Sequence, residues 1–377
     1  MKQKDYVVRL ESVITGKKNL ESLETFTSFP VFMGCTNAPP EEDLYADMEW
    51  VICPESGIIQ LEKMIPLEVL YQNQHNEGIG QIWKDHYSEF VEFIKKFSPK
   101  RVLEIGGAHG LIGSMYTNSV AESAWTMVDP NPTTTDKNIK VIKGWFDEKF
   151  KFPEKVDAVV HSHVLEHLYN PPNLIQHIHD FMDNNGMHIF TFPNLHEFLK
   201  KKYTNCLNFE HTLFLTEEIV DYLLEKTGFK IIEKKYFRDH SIFYCAQKSN
   251  PDKKKKLVNH KEEYKTLFMD FVNYHRKMVD DLNKLQEASK HPIYLFGAHI
   301  FSQYLIAFGL STDKIVSLLD NSRIKQNKRL YGTNLFVESP AILKDKGKVN
   351  VILKAANYND EIKKDILENI NPEVVFW

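Results

Sequence analysis

The feature that most constrains the fold is a glycine-rich bend between an apolar run and a helix-compatible segment. Val102 to Ile105 is a short apolar run with one acidic member, and Gly106-Gly107-Ala108-His109-Gly110 follows it. Leu111 to Tyr116 then fits the start of a helix. A strand, a tight turn and a helix start in this order are typical of the place where an α/β sheet binds a nucleotide-like ligand, because glycines let the backbone approach it closely.

The spacing of these glycines restricts the cofactor. A dinucleotide fingerprint requires glycine at positions i, i+2 and i+5. Counted from either Gly106 or Gly107, the two later positions hold other residues. A second apolar run, Trp125 to Val128, ends in Asp129 and Pro130, and a carboxylate at such a strand end suits the diol of a ribose. The sequence therefore indicates a nucleoside-containing cofactor other than a dinucleotide.

The stretch from Lys100 to about Lys248 alternates between strand and helix candidates, which predicts an α/β fold with a mostly parallel sheet. The last two strands can form an antiparallel edge pair. The strand candidates are Arg101–Ile105, Trp125–Val128, Lys140–Lys143, Ala158–His161, Met187–Phe192, Lys230–Tyr236 and Ile242–Ala246.

Four segments of this region, in the expected order, resemble the motifs of class I S-adenosylmethionine-dependent methyltransferases. Glu104-x-Gly106-x-x-x-Gly110 resembles motif I, and Asp129 follows it at the end of the next strand. Val156 to Leu168, which contains Leu165-Glu166-His167, resembles motif IV and the segment after it, and Gly186 to Asn194 resembles the fifth strand. The resemblance implies S-adenosylmethionine as cofactor, bound by Glu104, Gly106, Gly107, Ala108, Gly110, Asp129, Pro130 and His163.

Size and charge limit the remaining possibilities. A chain of 377 residues is long for one core, and we expect four parts: residues 1–75, 76–250, 251–290 and 291–377. A net charge of -4 gives no reason to expect nucleic acid or an anionic membrane as partner. The sequence shows no signal peptide and no apolar run of membrane-spanning length. Four scattered cysteines favour a reducing cytoplasm.

The first part, residues 1–75, reads as short strands and turns. Strand candidates are Tyr6–Val13, Glu49–Ile52 and Gly57–Leu61. The turn from Cys53 to Gly57 looks like a zinc knuckle whose second cysteine is Ser56, and Ser12 to Gly16 has the same shape without sulfur. A hydroxyl is a poor zinc ligand, so this is predicted to be a zinc-ribbon-like module that has lost its metal, and no metal is expected.

Helical periodicity and a second α/β pattern complete the chain. Apolar residues recur at helical spacing from Trp83 to Phe97 and from Tyr264 to Leu285, the latter predicting a long amphipathic linker helix. The linker helix either packs within the chain or forms a dimer seam, so a monomer and a homodimer both remain open. From His291 a strand, a glycine turn at Gly297 and a strand ending in Asp320 restart the α/β pattern, which predicts a second Rossmann-like, substrate-side domain.

This order of parts resembles the sugar C-methyltransferase family, which methylates nucleotide-linked ketosugars. The C-terminal match includes Gly297-Ala298, Asp320-Asn321 and Asn357-Tyr358-x-x-Glu361. The family's Tyr-x-Glu-His segment corresponds here to Asn208-Phe209-Glu210-His211. The resemblance implies a nucleotide-linked sugar as substrate, His211 as the base, and Glu210 and Asn208 beside it. Because asparagine replaces tyrosine, methylation of carbon or of oxygen stays open, with a preference for oxygen.

Several further polar residues are candidates for contact with the substrate. His161 and His163, two residues apart near a strand end, are expected to point the same way, as metal ligands or, preferably, towards the substrate. The alternatives to a methyltransferase are a non-catalytic carbohydrate-binding or scaffolding relative and a nicotinamide-dependent sugar oxidoreductase. The candidate substrate-binding residues are His75, His161, Asn194, Gly297 and His299.

Overall fold

A computed structural model of the chain describes residues 6–71, 80–252 and 254–377. The first part is β-rich. β2, β4 and β5 form an antiparallel sheet, β1 pairs with β6, and the short helix α1 (Leu67–Leu70) follows. In chain order the strands are β1 (Val7–Val8), β2 (Glu21–Pro30), β3 (Cys35–Thr36), β4 (Tyr45–Ile52), β5 (Ile59–Leu61) and β6 (Lys63–Met64).

The central part is a seven-stranded sheet in the order β12-β13-β11-β10-β7-β8-β9, with β13 antiparallel to both of its neighbours and the other pairs parallel. Its strands are β7 (Arg101–Ile105), β8 (Ala124–Asp129), β9 (Ile139–Lys143), β10 (Ala158–Ser162), β11 (Met187–Pro193), β12 (Phe229–Phe237) and β13 (Ser241–Lys248). The helices of this part are α2 (Gln81–Lys95), α3 (Leu111–Ser119), α4 (Pro171–Phe181), α5 (Leu195–Lys200) and α6 (Glu217–Thr227).

The long helix α7 (Lys261–Ala288) leads into a second, parallel sheet in the order β17-β15-β14-β18-β19. The remaining short strand pairs with β3 of the first part. The elements are β14 (Ile293–Phe296), α8 (Ile300–Ala307), β15 (Ile315–Leu319), β16 (Arg329–Leu330), β17 (Val337–Glu338), β18 (Asn350–Leu353), α9 (Asn359–Asp365) and β19 (Val375–Phe376).

Apolar packing covers both faces of both sheets, because central parallel strands are buried on two sides. β7 is buried except at Arg101, and β10 except at Ser162. A further apolar core joins the β-rich part to α7 through Trp50, Phe268 and Phe271. The amphipathic face of α7 thus packs within the chain, as one of the two sequence-based interpretations expected.

Buried polar contacts fasten the β-rich part to the rest of the chain. The guanidinium of Arg9 is buried and donates to the carbonyl oxygens of Leu61, Tyr169 and Thr212 at 3.3, 2.6 and 2.9 Å. Arg329 makes a buried two-pronged ion pair with Asp43, at 2.6 and 2.9 Å. The Arg9 contacts therefore connect the β-rich part to the central part, and the ion pair of Asp43 with Arg329 connects it to the C-terminal part.

The strand predictions for the central sheet are confirmed to within two residues at each end, including the antiparallel partner strands β12 and β13. The strand predicted for Tyr6–Val13 is wrong beyond Val8, because Arg9 turns inward and the chain then bends at Ser12 to Gly16. In that bend Thr15 Oγ1 lies 3.5 Å from Cys53 Sγ; the zinc-ribbon interpretation stays a prediction. Within the described ranges, no helix is both long enough and apolar enough to cross a membrane.

Candidate active site

A carboxylate holds the glycine-rich turn after β7 to the neighbouring strand β8. The side chain of Asp129, at the end of β8, accepts hydrogen bonds from the backbone amides of Ala108 at 2.9 Å and Asn131 at 2.7 Å. Gly106 and Gly110 have φ angles of 70° and 68°, a left-handed conformation that glycine adopts without strain. The Asp129 side chain therefore holds the glycine-rich turn against the end of β8.

Glu104 lies beneath the turn and is fully buried. Its carboxylate accepts a hydrogen bond from the indole Nε1 of Trp125 at 2.7 Å. Burial raises the pKa of Glu104 to about 7, against the opposing effect of the Trp125 hydrogen bond. A side chain on Gly107 would come within 2.7 Å of the Glu104 carboxyl carbon and 2.4 Å of Met127 Sδ. Only glycine lets the turn lie this close to the sheet.

These residues fit the cofactor S-adenosylmethionine. The Asp129 oxygens each accept one backbone hydrogen bond, and each keeps a lone pair for a ribose hydroxyl. A side chain at Gly107 or Gly110 would collide with Met127 or Thr134, so the glycines allow the backbone conformation that could approach the amino-acid part of the cofactor. Pro130 follows Asp129 directly and lies at the same edge. The residues expected to bind the cofactor lie at the carboxyl ends of β7 and β8, except His163, which follows β10; that they bind it stays a prediction.

His163 lies one strand away, in a pocket of aromatic rings. It has φ 53° just after β10, and its ring centroid is 4.8 Å from that of Trp83 and 5.2 Å from that of His86. Its Nε2 is 3.0 Å from the hydroxyl of Ser241, which is also 2.5 Å from Nδ1 of His240. Burial lowers the pKa of His163 to about 3, so this side chain is neutral at physiological pH.

A short chain of polar side chains leads from His163 towards the predicted base. Glu166, fully buried in the 3₁₀ turn Leu165–His167, has Oε1 3.1 Å from His163 Nδ1 and 3.9 Å from His167 Nε2. Burial raises the pKa of Glu166 to about 7, against the effect of His167. On the other side of its ring, Nδ1 of His167 lies 3.2 Å from the Tyr71 hydroxyl and 3.8 Å from Glu210.

His211 completes this chain. Its ring centroid is 5.0 Å from that of His167, and its Nδ1 lies 3.2 Å from the carbonyl oxygen of Cys206. A carbonyl can only accept, so Nδ1 carries the proton and Nε2 keeps its lone pair. Burial lowers the pKa of His211 to about 4. Asn208 accepts a hydrogen bond from the backbone amide of His211 at 2.7 Å and so shapes the loop.

The expectation that His161 and His163 point the same way is wrong. The His161 ring is fully buried and stacks on Phe190, with its Nε2 2.9 Å from Nε2 of His188. His163 leaves the strand with a positive φ, which breaks the alternation on which the expectation depended. The structure therefore buries His161 completely against Phe190 and His188, and its contact with a substrate stays a prediction.

The other predicted substrate residues are dispersed. The side chain of Asn194 caps α5 by accepting a hydrogen bond from the backbone amide of Glu197. The backbone amide of Asn194 donates to the carbonyl oxygen of His240 at 2.9 Å, so Asn194 lies near the aromatic pocket. Gly297 and His299 lie at the end of β14, in the C-terminal sheet. His75 lies outside the described residues. The prediction that these residues bind a substrate stays a prediction.

Sequence reasoning missed Tyr71 as a member of this site. Its carbonyl accepts from Asn131 Nδ2 at 2.8 Å, and its hydroxyl contacts His167. It thereby connects the Asp129 end of the site to the His211 end. No spacing or motif marks this tyrosine, although its position just before the glycine-bearing stretch at residues 72–80 was a usable signal.

Residues 78–234 match the family model described as a methyltransferase domain. This chain contains a methyltransferase domain. With its glycine turn and strand-end carboxylate, the domain takes S-adenosylmethionine as methyl donor. The match covers the central sheet from β7 as far as Lys234 within β12, and β13, the β-rich part and the C-terminal part lie outside it.

Solved structures of low identity are similar to less than half of this chain. A putative S-adenosylmethionine-dependent methyltransferase from Listeria monocytogenes is 15% identical, with 44% of this chain and 99% of that chain covered and a TM-score of 0.37. Human N-acetylserotonin methyltransferase is 18% identical, with 45% and 53% covered and a TM-score of 0.40. The 1,6-didemethyltoxoflavin-N1-methyltransferase of Burkholderia thailandensis is 14% identical, with 45% and 82% covered and a TM-score of 0.37. Comparison with curated proteins gave no match.

Proposed function

We propose that this methyltransferase transfers the methyl group to a sugar carried by a nucleotide, with His211 as general base. The observation that carries the base assignment is the fixed tautomer of His211. Its Nδ1–H points to the Cys206 carbonyl, so Nε2 is the ring nitrogen that carries the lone pair. The lowered pKa keeps this nitrogen unprotonated near neutrality, which a base needs before it can take a proton.

The acceptor atom must lose a proton as the methyl group arrives. S-adenosylmethionine supplies an electrophilic methyl group when it is bound. On this proposal His211 Nε2 accepts the proton of a sugar hydroxyl, and the Cys206 carbonyl keeps the ring oriented. We favour oxygen over carbon as acceptor because the asparagine at position 208 offers no phenol to stabilise an enolate.

The C-terminal part supports a nucleotide-linked substrate because it repeats the central arrangement. Asp320 follows β15, the second strand of the C-terminal sheet along the chain. Its side chain accepts hydrogen bonds from the backbone amides of Ala298 at 3.0 Å and Ser322 at 2.9 Å, as Asp129 accepts from those of Ala108 and Asn131. Lys325 Nζ lies 3.1 Å from Asp320 and can also pair with a phosphate as a point charge. A second nucleoside could occupy this edge.

Packing also brings the C-terminal part to the base segment. Tyr304 of α8 and Phe209, two residues before His211, share one apolar core with Phe29, whose ring lies 4.9 Å from that of Tyr304 and 6.1 Å from that of Phe209. A substrate held by the C-terminal part can therefore extend towards His211. Positioning of this kind supplies much of the acceleration in transfer reactions.

The test is incubation with isotope-labelled S-adenosylmethionine and a panel of nucleotide-linked sugars, with each free sugar and free nucleotide as control. We expect label on a sugar hydroxyl only when the sugar carries its nucleotide. Label on a sugar carbon would support the sugar as substrate and would contradict oxygen as the acceptor atom. Label on free amines or phenols, with no transfer to any sugar, would refute the proposal.

A further inference from the structure

The side chain of Glu166 presents a charge problem that the proposed transfer does not explain. It is 0% exposed, and neither carboxylate oxygen receives a hydrogen bond among the described residues. The 3.1 Å approach of His163 Nδ1 to Oε1 lacks hydrogen-bond alignment. A buried carboxylate without donors is costly unless a cation or a proton compensates it.

Two imidazoles adjoin this carboxylate. One nitrogen from each of His167 and His211 and one oxygen of Glu166 all lie within 4.8 Å of one another. In both rings Nδ1 is engaged from outside the group, by the Cys206 carbonyl for His211 and by the Tyr71 hydroxyl for His167. Such outer contacts orient metal-binding histidines and leave Nε2 for the ion.

We infer that Glu166, His167 and His211 form a binding site for a divalent transition-metal ion of the zinc type. Two neutral imidazoles and one carboxylate are a ligand set that zinc and ferrous sites use, and three protein ligands leave a position open for water or another oxygen ligand. Small side-chain rotations must close the present separations to metal-ligand lengths. The inference departs from the sequence-based expectation that no metal is bound.

A second histidine group, His86, His163 and His240, has its nitrogens equally close together. It is the weaker candidate because hydroxyl groups already contact its ring nitrogens, with Thr191 Oγ1 3.4 Å from His86 Nε2. Ser241 Oγ lies 3.0 Å from His163 Nε2 and 2.5 Å from His240 Nδ1. This group also holds no carboxylate to balance the charge of an ion, whereas the Glu166 group does.

The inference rests on the proposed function in one respect. His211 Nε2 cannot hold an ion and accept a proton at the same time, so a bound ion should suppress the proposed transfer. We expect turnover of the chelator-treated enzyme to fall at least about tenfold when zinc saturates the site, and to return when the chelator is restored. The ion would then act as an inhibitor at this site.

The binding experiment uses the full chain, freed of metal by chelator and titrated with zinc chloride or cobalt chloride. We expect one ion per chain. Glu166→Gln, which keeps the shape and removes the charge, and His167→Gln should each weaken binding by more than about 100-fold, beyond the 10- to 100-fold typical of lost outer contacts. His196→Gln is the matched control: this partly exposed histidine pairs with Glu263, and its change should leave binding unaltered.

Three results would overturn the inference: no stoichiometric binding, full binding in the Glu166→Gln variant, or loss of binding only in a His240→Gln variant. X-ray absorption on the zinc-loaded unmodified chain covers the case in which a variant fails to fold. We expect two imidazoles with oxygen ligands, and sulfur or three imidazoles would contradict the site. Binding is measured without turnover, so an enzyme that binds zinc but methylates no sugar refutes only the proposed function.

Discussion

Replacing Asp129 by asparagine tests the cofactor end of the site, and the chain provides its own control. Asp129 and Asp320 occupy matching positions in the two sheets, and each accepts two backbone hydrogen bonds, at 2.9 and 2.7 Å in one case and 3.0 and 2.9 Å in the other. Asn has one accepting oxygen, so its amide group must face one backbone N–H. Both substitutions therefore damage the same local geometry.

The expected magnitudes follow from these contacts. A hydrogen bond to a charged acceptor contributes about 1.5–3 kcal/mol, so each variant should lose about 2 kcal/mol of unfolding free energy. Asp129→Asn should in addition weaken the contacts to the cofactor ribose by a similar amount, which corresponds to a roughly 10- to 100-fold higher Kd at about 1.4 kcal/mol per tenfold. Asp320→Asn should leave that Kd unchanged.

Calorimetric titration with S-adenosylmethionine and urea unfolding of both variants make the comparison. We expect similar losses of stability and a weakened Kd only for Asp129→Asn. If Asp129→Asn leaves the Kd for S-adenosylmethionine unchanged, the assignment of Asp129 to the ribose is wrong. If Asp320→Asn weakens cofactor binding equally, the damage spreads through the fold and the local reasoning fails.

Three further predictions concern the base, a buried cation and acid stability. His211→Asn should lower single-turnover methyl transfer by about 100- to 10,000-fold and leave the Kd for S-adenosylmethionine unchanged by calorimetry; retained transfer would place the base elsewhere. Arg9→Met should cost about 3 kcal/mol in urea unfolding, because three carbonyls lose the guanidinium as donor, whereas Arg276→Met, at a half-exposed arginine paired with Glu24, should cost less than about 1 kcal/mol; equal costs would contradict this account. Burial lowers the pKa of His161 to about 3 in the folded chain, whereas the unfolded chain has a value near 6.5. The contribution of neutral His161 to the free energy of unfolding is therefore fully present above about pH 6.5 and is smaller by about 2 kcal/mol at pH 5. His161→Phe should flatten the decline of unfolding free energy between pH 6.5 and 5 by about that amount, and an unchanged slope would refute the assignment.

The inner strands of the central sheet, β7, β8, β10 and β11, were predictable because they are nearly continuous apolar runs. A strand buried on both faces has little tolerance for polar residues, so its ends show in the sequence. The turn from Gly106 to Gly110 was predictable for a similar reason, since the chain passes too close to Glu104 and Met127 for a side chain at Gly107.

The other half of the site could not be predicted in the same way. Tyr71, Glu166 and His211 come from three distant segments, and their contacts depend on how the β-rich part packs against the central sheet. His161 shows the converse error: strand alternation predicts a shared face with His163, but the positive φ of His163 depends on the pocket around Trp83. Local periodicity carries no information about such packing.

The ion pair between Arg329 and Asp43 has a consequence for folding during synthesis on the ribosome. Its members are 286 residues apart, and at synthesis rates of about 5–20 residues per second the second leaves the ribosome roughly 14–57 s after the first. Until then Asp43 has no guanidinium partner, and β3 has no strand to pair with. The β-rich part therefore lacks these two contacts while the methyltransferase sheet is synthesised and folds. Nascent chains that are stalled before residue 329 should be the ones that chaperones bind.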